Sequence, residues 1–289
     1  MAELKPFSGK ALYTTKGAAR EYGRIGCNFY TGCPHECKYC YLKRGITGKA
    51  LGDTKVRLKK CFKDEADAAR ILRMELDAHL EQCQRYGIFL SFTTDPMIVT
   101  TRDLTGVAIT EATMRNIPVW VLTKNSYFVY DEDFMEAIDR ISPNDRSRIH
   151  FGFTLTGRDD MEPHACANRD RIRAMRWMKY RGFSTFASIE PVIDWMSSEH
   201  VVREAMAWCD HFKLGLRSGV KKSYYDIGQS GAAILRIVHS VEWYGKTIYL
   251  KESTRGLLRQ YLLPGYYEEI LSHTVDMDGN TINIKPTEQ

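Results

Sequence analysis

The sequence predicts an α/β fold, an incomplete (β/α)6-type TIM barrel with a C-terminal extension. Two observations predict it: short apolar segments alternate with segments of helical periodicity along most of the chain, and turn residues separate them. Such alternation is typical of parallel sheets whose strands are joined by crossover helices. At 289 residues and 44% apolar composition, the chain is long enough to bury a full core.

The alternation can be followed from the first strand to the last. Strands are predicted over residues 24–30, 88–93, 118–123, 149–155, 184–190, 211–216 and 247–251. Helices are predicted between them over residues 63–84, 103–116, 131–141, 168–181, 197–209 and 226–244. Asp64 is the expected N-cap of the first helix. We assign residues 1–262 to the barrel, and residues 263–289 to the extension and a polar tail.

Composition argues against two classes of protein. The first residues lack the apolar segment of a secretory signal, and no run approaches the roughly 18 apolar residues of a membrane span. Eight cysteines in such a chain favour metal binding or buried thiols over disulfides. The net charge of +5 permits a polyanionic partner. The sequence therefore predicts a cytoplasmic monomer that does not associate with membranes.

Three cysteines lie in one short segment, with the spacing Cys33-x3-Cys37-x2-Cys40. Cubane iron–sulfur clusters are held by cysteine thiolates, usually four. Three ligands from one loop would leave one iron open to a group that is not protein. A zinc site remains an alternative, with Cys27 or His35 as the fourth ligand.

Charged residues follow several of the predicted strands. Asp95 and Glu190 each precede a proline, which keeps a residue out of the α region, so both acids are expected to extend from strand ends. Parallel barrels carry their chemistry in the loops after these ends. Lys124 and Lys251 also end strands, and Lys251 is expected to reach the substrate. The simpler alternatives are turn caps for the acids and a solvent-exposed side chain for Lys124.

The cysteine spacing, followed by the aromatic residue Tyr41, resembles the radical S-adenosylmethionine (SAM) superfamily. The resemblance implies a 4Fe–4S cluster on Cys33, Cys37 and Cys40, with SAM bound to the open iron. It further implies that SAM is split into methionine and a 5′-deoxyadenosyl radical, which takes a hydrogen atom from an unactivated carbon.

Further blocks in matching order resemble one branch of the superfamily, spore photoproduct lyase and its photolyase-like relatives. They span about residues 24–195 and include the segments 151–155 and 188–195. The resemblance places four residues in the SAM pocket. We add Asp95 as a fifth because of its position at a strand end. The predicted cofactor-binding residues are thus Tyr39, Tyr41, Thr94, Asp95 and Lys124.

One position departs from the lyase pattern. Phe92 stands where the lyase has a cysteine that donates a hydrogen atom to the product radical. Without that thiol, we expect a reaction of the isomerase or lyase type in which SAM is regenerated. Cys166, in the loop after the fourth strand, is the alternative donor. The predicted catalytic residues are therefore Glu190, Lys251 and Cys166.

The resemblance also implies a substrate: a nucleobase in DNA, either thymine or a modified thymine, that undergoes repair, rearrangement or hypermodification. The electron donor is expected to be a flavodoxin- or ferredoxin-type reductant. The basic helix over residues 168–181 is either a solvated outer face or a surface that follows DNA phosphates. Two alternatives remain open. One is radical modification of a peptide or small metabolite, and the other is a non-catalytic zinc- or cluster-bearing DNA-binding protein.

Overall fold

A computed structural model describes residues 4–276 of the chain. These residues form a mixed α/β fold divided into two compact units. The first unit contains residues up to 153 together with residues 159–185, and the second contains residues 154–158 and those from 186 onward. No helix in the described part of the chain is long and apolar enough to cross a membrane.

The first unit is built on parallel strands. In its main sheet the strand order is β1-β2-β5-β6-β7, with β1 antiparallel to β2 and the remaining neighbours parallel. A separate antiparallel pair is formed by β3 and β4. The strands are β1 (Leu12–Thr14), β2 (Ile25–Cys27), β3 (Tyr30–Thr31), β4 (Arg57–Leu58), β5 (Ile88–Leu90), β6 (Val119–Thr123) and β7 (Ile149–Thr154).

Helices follow these strands along the chain. The α-helices are α1 (Gly45–Leu51), α2 (Glu65–Ala78), α3 (Leu80–Tyr86), α4 (Val99–Thr113), α5 (Glu132–Asp139), α6 (Pro143–Arg146) and α7 (Asn168–Tyr180). Four 3-10 helices span Gly17–Glu21, Tyr41–Lys43, Tyr127–Tyr130 and Asp159–Met161. The Asp64 side chain accepts a hydrogen bond from the Asp67 N–H at 2.7 Å, which confirms the predicted N-cap of α2.

The second unit continues the same β–α pattern. Its strands are β8 (Ser184–Val192), β9 (His211–Leu216) and β10 (Thr247–Leu250), and β9 pairs in parallel with both of the others. Its helices are α8 (Trp195–Ala205), α9 (Ile227–Trp243), α10 (Glu252–Tyr261), α11 (Pro264–Ser272) and the short 3-10 helix Lys222–Tyr224. The predicted parallel α/β class is confirmed, whereas the barrel arrangement remains a prediction.

The element boundaries differ from the predicted ones where side chains interrupt the pattern. The predicted helix over residues 63–84 is two helices that meet at His79, whose φ of −121° lies outside the helical range and whose ring stacks on Phe7. The predicted strand over residues 88–93 ends at Leu90, because the Phe92 N–H donates to the Asn28 side chain instead of a neighbouring strand.

The predicted strand over residues 24–30 is likewise divided, into β2 and β3. The sequence patterns did not predict α1, α10, α11 or the antiparallel strand β1. Residues 277–289 of the predicted tail lie outside the described residues.

Candidate cofactor and active site

The three motif cysteines lie on the loop between β3 and the 3-10 helix Tyr41–Lys43. Cys37 is buried, and Cys33 and Cys40 are half-buried. The loop starts at Gly32, where a side chain is not tolerated. Its φ is +87°, and a Cβ there would meet the Lys55 carbonyl oxygen at 2.3 Å. This close approach lets the Cys33 N–H donate to the Asp53 carbonyl at 2.9 Å, which fixes one end of the loop.

The segment after β7 holds the other side of the cysteine loop. The Lys38 N–H donates to the Met161 carbonyl at 2.9 Å. The Tyr39 hydroxyl, between two cluster cysteines in sequence, donates to the Glu162 carboxylate. Glu162 in turn pairs with Arg171 at 2.8 Å, and both side chains are completely buried. The positions of the cysteines therefore depend on a buried ion pair that is more than a hundred residues away in sequence.

Arg171 corrects one prediction from the sequence. The basic residues of helix 168–181 were expected to form one solvent-facing or DNA-facing surface, but Arg171 points inward. Burial opposes its charge, yet the negative charge of Glu162 and the hydrogen bond between them raise the pKa of Arg171. The pKa of Tyr39 is raised well above its usual range, mainly by burial and secondly by the negative charge of Glu162. The Tyr39 hydroxyl therefore remains protonated and donates a hydrogen bond.

Asp95 connects the strand ends of the first unit to the cysteine loop. One carboxylate oxygen accepts from the Met97 N–H at 2.9 Å and the Thr123 hydroxyl at 2.6 Å. The other oxygen accepts from the Lys124 N–H at 2.7 Å and contacts His35 Nε2 at 2.8 Å. Burial alone would raise its pKa, but the charge of His35 and these hydrogen bonds lower the pKa of Asp95 to about 2. Asp95 is thus an ionised group that positions both the loop and Lys124.

Lys124 lies directly after β6 and beside the cysteine loop. Its Nζ is 5.6 Å from the centre of the Tyr39 ring, a cation–π distance. Burial favours the neutral amine, but the charge that Cys37 carries when its thiol ionises, and then the negative charge of Glu162, outweigh burial and raise the pKa of Lys124. A persistent positive charge therefore stands next to the cysteines, where it can bind an anionic group.

Thr94 adds a buried polar atom with no partner. Among the described residues, nothing forms a hydrogen bond with its hydroxyl oxygen, although the neighbouring Thr93 hydroxyl donates to the Tyr30 carbonyl at 2.6 Å. Leaving a buried hydroxyl unsatisfied costs about 1–3 kcal/mol. A ligand atom that bonds to Thr94 would offset this cost.

The remaining predicted residues of the first unit have defined surroundings. Tyr41 is exposed, and its hydroxyl donates to the Phe92 carbonyl. The Phe92 ring stacks on Phe89, with centroids 4.7 Å apart. The Cys166 thiol donates to Asn125 Oδ1 at 3.3 Å, and the Cys166 N–H donates to the Lys124 carbonyl at 3.2 Å. Cys166 therefore lies next to the strand end that carries Lys124.

Glu190 and Lys251 form an ion pair in the second unit. The Lys251 Nζ lies 3.0 Å and 2.7 Å from the two carboxylate oxygens of Glu190, and Lys251 is buried. Both side chains pass over Gly215, where a Cβ would lie 2.8 Å from each of them. The sequence predicted both residues at strand ends. Lys251 directly follows β10, whereas the prediction for Glu190 is wrong because β8 continues past it to Val192. Nothing in the sequence indicated that the two residues pair or that they require a glycine between them.

The donor set fits a cluster with three cysteine ligands better than a single metal ion. Within residues 4–276, no three Cys, His, Asp or Glu side chains converge closely enough to share one ion. A zinc ion requires such convergence, with ligands at about 2.0–2.3 Å, whereas each cysteine of a cubane binds a different iron. His35, one candidate for a fourth zinc ligand, already uses both ring nitrogens, toward Asp95 and the His164 carbonyl.

Cys27, the other candidate, is buried in the core within β2.

Burial raises the pKa of Cys33 to about 12 and raises that of Cys37. These two thiols are therefore protonated at neutral pH, and binding of iron would release their protons.

Comparison with known proteins extends this assignment. No protein-family model matches the chain, and no curated protein sequence does. A solved structure of a spore photoproduct lyase variant is similar, with a TM-score of 0.61, 13% identity and coverage of 87% of this chain and 81% of that one. The structure of Streptococcus suis SuiB bound to S-adenosylmethionine has a TM-score of 0.54 and 11% identity, with 84% of this chain and 55% of that chain covered.

SuiB bound to its precursor peptide SuiA is also similar, with a TM-score of 0.51, 13% identity and coverage of 76% of this chain and 46% of that one. The chain thus spans about half the length of SuiB. Both proteins are radical SAM enzymes. At identities this low, the structural similarity shows a shared fold and nothing finer. The chain therefore has the fold of the radical SAM enzymes, which confirms at the level of fold the resemblance carried by its cysteine motif.

Proposed function

We propose that the chain is a radical SAM enzyme that acts on a nucleobase in DNA, either thymine or a modified thymine. The observation that carries this proposal is that the cysteine loop contacts Lys124 through the Tyr39 ring and contacts Asp95, the neighbour of Thr94, through His35. The similarity in fold to spore photoproduct lyase supports the choice of a nucleobase. Cys33, Cys37 and Cys40 would hold a 4Fe–4S cluster. Cluster and SAM, when bound, supply a 5′-deoxyadenosyl radical that takes a hydrogen atom from carbon.

The residues around the loop would bind and orient SAM. The Lys124 ammonium group suits the SAM carboxylate, because a charge-assisted hydrogen bond is stronger than a neutral one. The Thr94 hydroxyl would gain the partner that it lacks among residues 4–276. Tyr39 would support Lys124 through its ring, Tyr41 would border the pocket, and Asp95 would position the Lys124 backbone.

Replacing Lys124 by alanine is expected to weaken SAM binding by about 1.5–3 kcal/mol, the range for a hydrogen bond to a charged group. Isothermal titration of the reconstituted protein measures this affinity. Lys60→Ala is the matched control, because Lys60 is an exposed lysine outside the proposed pocket. Equal SAM affinity in the two variants would rule out the Lys124 contact.

Thr94→Val is expected to have opposite effects on SAM binding and stability. Valine has a similar shape and removes the unsatisfied hydroxyl, so the protein without SAM becomes more stable while SAM binds more weakly. Thermal unfolding with and without SAM measures both effects in one series. A variant that loses stability and keeps its SAM affinity would show that the hydroxyl has a structural role instead.

The reaction type follows from Phe92. Its ring packs on Phe89 and carries no transferable hydrogen on sulfur or oxygen. We therefore favour a rearrangement or repair reaction in which the substrate radical recovers hydrogen from 5′-deoxyadenosine and SAM is regenerated. Cys166 is the alternative donor. Glu190, held by Lys251, is the proposed substrate-contacting residue of the second unit, since carboxylate oxygens accept hydrogen bonds from base N–H groups.

The test is anaerobic incubation with SAM, dithionite and DNA that contains thymine or modified thymine deuterated at the abstracted carbon. Nucleoside mass spectrometry is expected to show a changed base, and recovered SAM is expected to contain deuterium. Stoichiometric 5′-deoxyadenosine without label in SAM would favour Cys166 as the donor. The electron donor in the cell would be a flavodoxin- or ferredoxin-type protein.

A peptide substrate is the second candidate, and the similarity to the peptide-bound SuiB structure favours it. Binding separates the two: affinity for DNA falls steeply as salt rises, because phosphate contacts release counterions. If the protein neither modifies DNA nor binds it at low salt, the nucleobase assignment is contradicted and a peptide becomes the favoured substrate.

A further inference from the structure

A groove of about 420 Å³ lies on the first unit between the 3-10 helix Tyr127–Tyr130 and helix α7. Its volume falls in the range of ligand-binding clefts. Ala174, a small and buried residue, and Val129 contribute to its lining. Its aromatic and cationic lining consists of Tyr127, Tyr130, Trp177, Tyr180, Arg173 and Arg176.

Helical geometry places these side chains on two facing walls. In a 3-10 helix, residues three apart are eclipsed, so Tyr127 and Tyr130 lie on one side while Phe128 is buried. On α7, Arg173, Trp177 and Tyr180 follow the i, i+4, i+7 spacing of one helix face. Both walls thus present aromatic rings toward the same groove.

The aromatic rings are unusually exposed for such large side chains. The exposed fractions are 68% for Tyr127, 75% for Tyr130, 47% for Trp177 and 64% for Tyr180. Single exposed apolar residues are common on protein surfaces, but a contiguous group of them indicates a binding surface. Planar ring systems can therefore stack on the side chains of this groove.

The charge of the groove favours a polyanion. The Arg176 guanidinium lies 5.2 Å from the centre of the Tyr180 ring, so a cation that can bind a phosphate stands beside a ring that can stack on a base. Arg173 contacts Asp170, the acidic residue of the groove, at 3.2 Å. Arg169 on the same helix is largely exposed and lies 4.0 Å from the same aspartate, so the arginines outnumber the acidic residue that they contact. Arginines interleaved with aromatic rings are the combination that binds phosphates and bases together.

The groove begins close to the proposed cofactor site. Ser126 lines it and follows β6 by only a few residues, as Lys124 does. The Ser126 N–H also contacts the Cys166 thiol at 3.2 Å. A chain bound along the groove would therefore pass near the strand end that carries Lys124 and near Cys166 beside it.

The geometry points to a site for unpaired nucleotides of a DNA strand, which stack on the four rings while Arg173 and Arg176 bind the phosphates. The inference rests on the proposed function, because the bound nucleotides would flank the base that is modified. An enzyme that modifies a base acts on single-stranded DNA or takes the target base out of the duplex. In single-stranded DNA, the nucleotides next to the target are unpaired and can bind in such a groove.

The test is fluorescence anisotropy of a labelled oligothymidylate with the reconstituted protein. Trp177→Ala is expected to weaken binding by about five-fold to 150-fold, the range for loss of one stacking ring, and Trp177→Phe is expected to keep most of the affinity. Trp243→Ala is the matched control, an 86% exposed tryptophan outside the groove. Arg173→Ala is expected to lower the slope of log affinity against log salt by about 0.7.

Arg70→Ala is the control for charge, because Arg70 is also exposed and pairs with an aspartate three residues earlier. SAM cleavage without DNA should be unchanged in all five variants, which shows that they fold. Equal oligonucleotide affinity in Trp177→Ala and Trp243→Ala would contradict the assignment of the groove as a DNA-binding site. It would not contradict the proposal that the substrate is DNA. No binding by the unmodified protein, or binding of peptides alone, would overturn both.

Discussion

Replacement of Cys37 by alanine is expected to abolish the iron–sulfur cluster. Cys37 is the buried member of the three cysteines, and its loss leaves a cubane with two protein ligands. Iron content after anaerobic reconstitution should fall from about four atoms per chain to near zero, and the visible absorption and SAM cleavage should disappear with it. Cys61→Ala is the control, because Cys61 is an exposed cysteine outside the loop.

Two outcomes would contradict this assignment. Full iron loading in Cys37→Ala would show that the loop does not hold the cluster. Loss of the cluster in Cys27→Ala would reveal a fourth protein ligand, which would occupy the iron that SAM needs. Cys27 is buried within β2, so we expect that variant to retain its iron.

Removal of Glu162 is expected to have the largest effect on stability. Glu162→Ala leaves Arg171 charged and completely buried without the carboxylate that it pairs with. Breaking a buried ion pair from one side costs about 3–5 kcal/mol. The Tyr39 hydroxyl loses its acceptor at the same time, so the cysteine loop should also bind its cluster less firmly. Chemical denaturation of the cluster-free protein measures the loss of stability.

The control for Glu162 is an ion pair of similar length on the surface. Arg140 and Glu136 lie 2.6 Å apart, and both are largely exposed, so Glu136→Ala is expected to cost less than about 1 kcal/mol. The double variant Glu162→Leu with Arg171→Met should recover much of the loss, since apolar side chains can replace a buried pair. Equal destabilisation by Glu162→Ala and Glu136→Ala would contradict the role given to the buried pair.

Periodicity and capping predicted the parts of the fold that depend on local sequence. The alternation of strands and helices and the N-cap at Asp64 follow from neighbouring residues, and the structure shows both. The cysteine spacing is local as well, and together with Tyr41 it carries the resemblance to the radical SAM superfamily. The strand-end positions of Lys124 and Lys251 follow from the same β–α alternation.

No pattern among neighbouring residues in the sequence indicates the contacts that support the site. Tyr39 and Glu162 are 123 residues apart, and His35 and Asp95 are 60 apart. Nothing near Glu162 distinguishes it from a surface acid, and Arg171 stands among arginines that are mostly exposed. Such pairs arise only when the chain brings distant loops together, so a single sequence does not reveal them.

The most direct test of the central claim is the electron paramagnetic resonance spectrum of the reconstituted, dithionite-reduced protein, recorded with and without SAM. A cluster on Cys33, Cys37 and Cys40 with one open iron predicts about four iron and four sulfide per chain and a reduced-cluster signal that changes when SAM is added. Bound zinc in place of iron, or a reduced-cluster signal that SAM leaves unchanged, would contradict it.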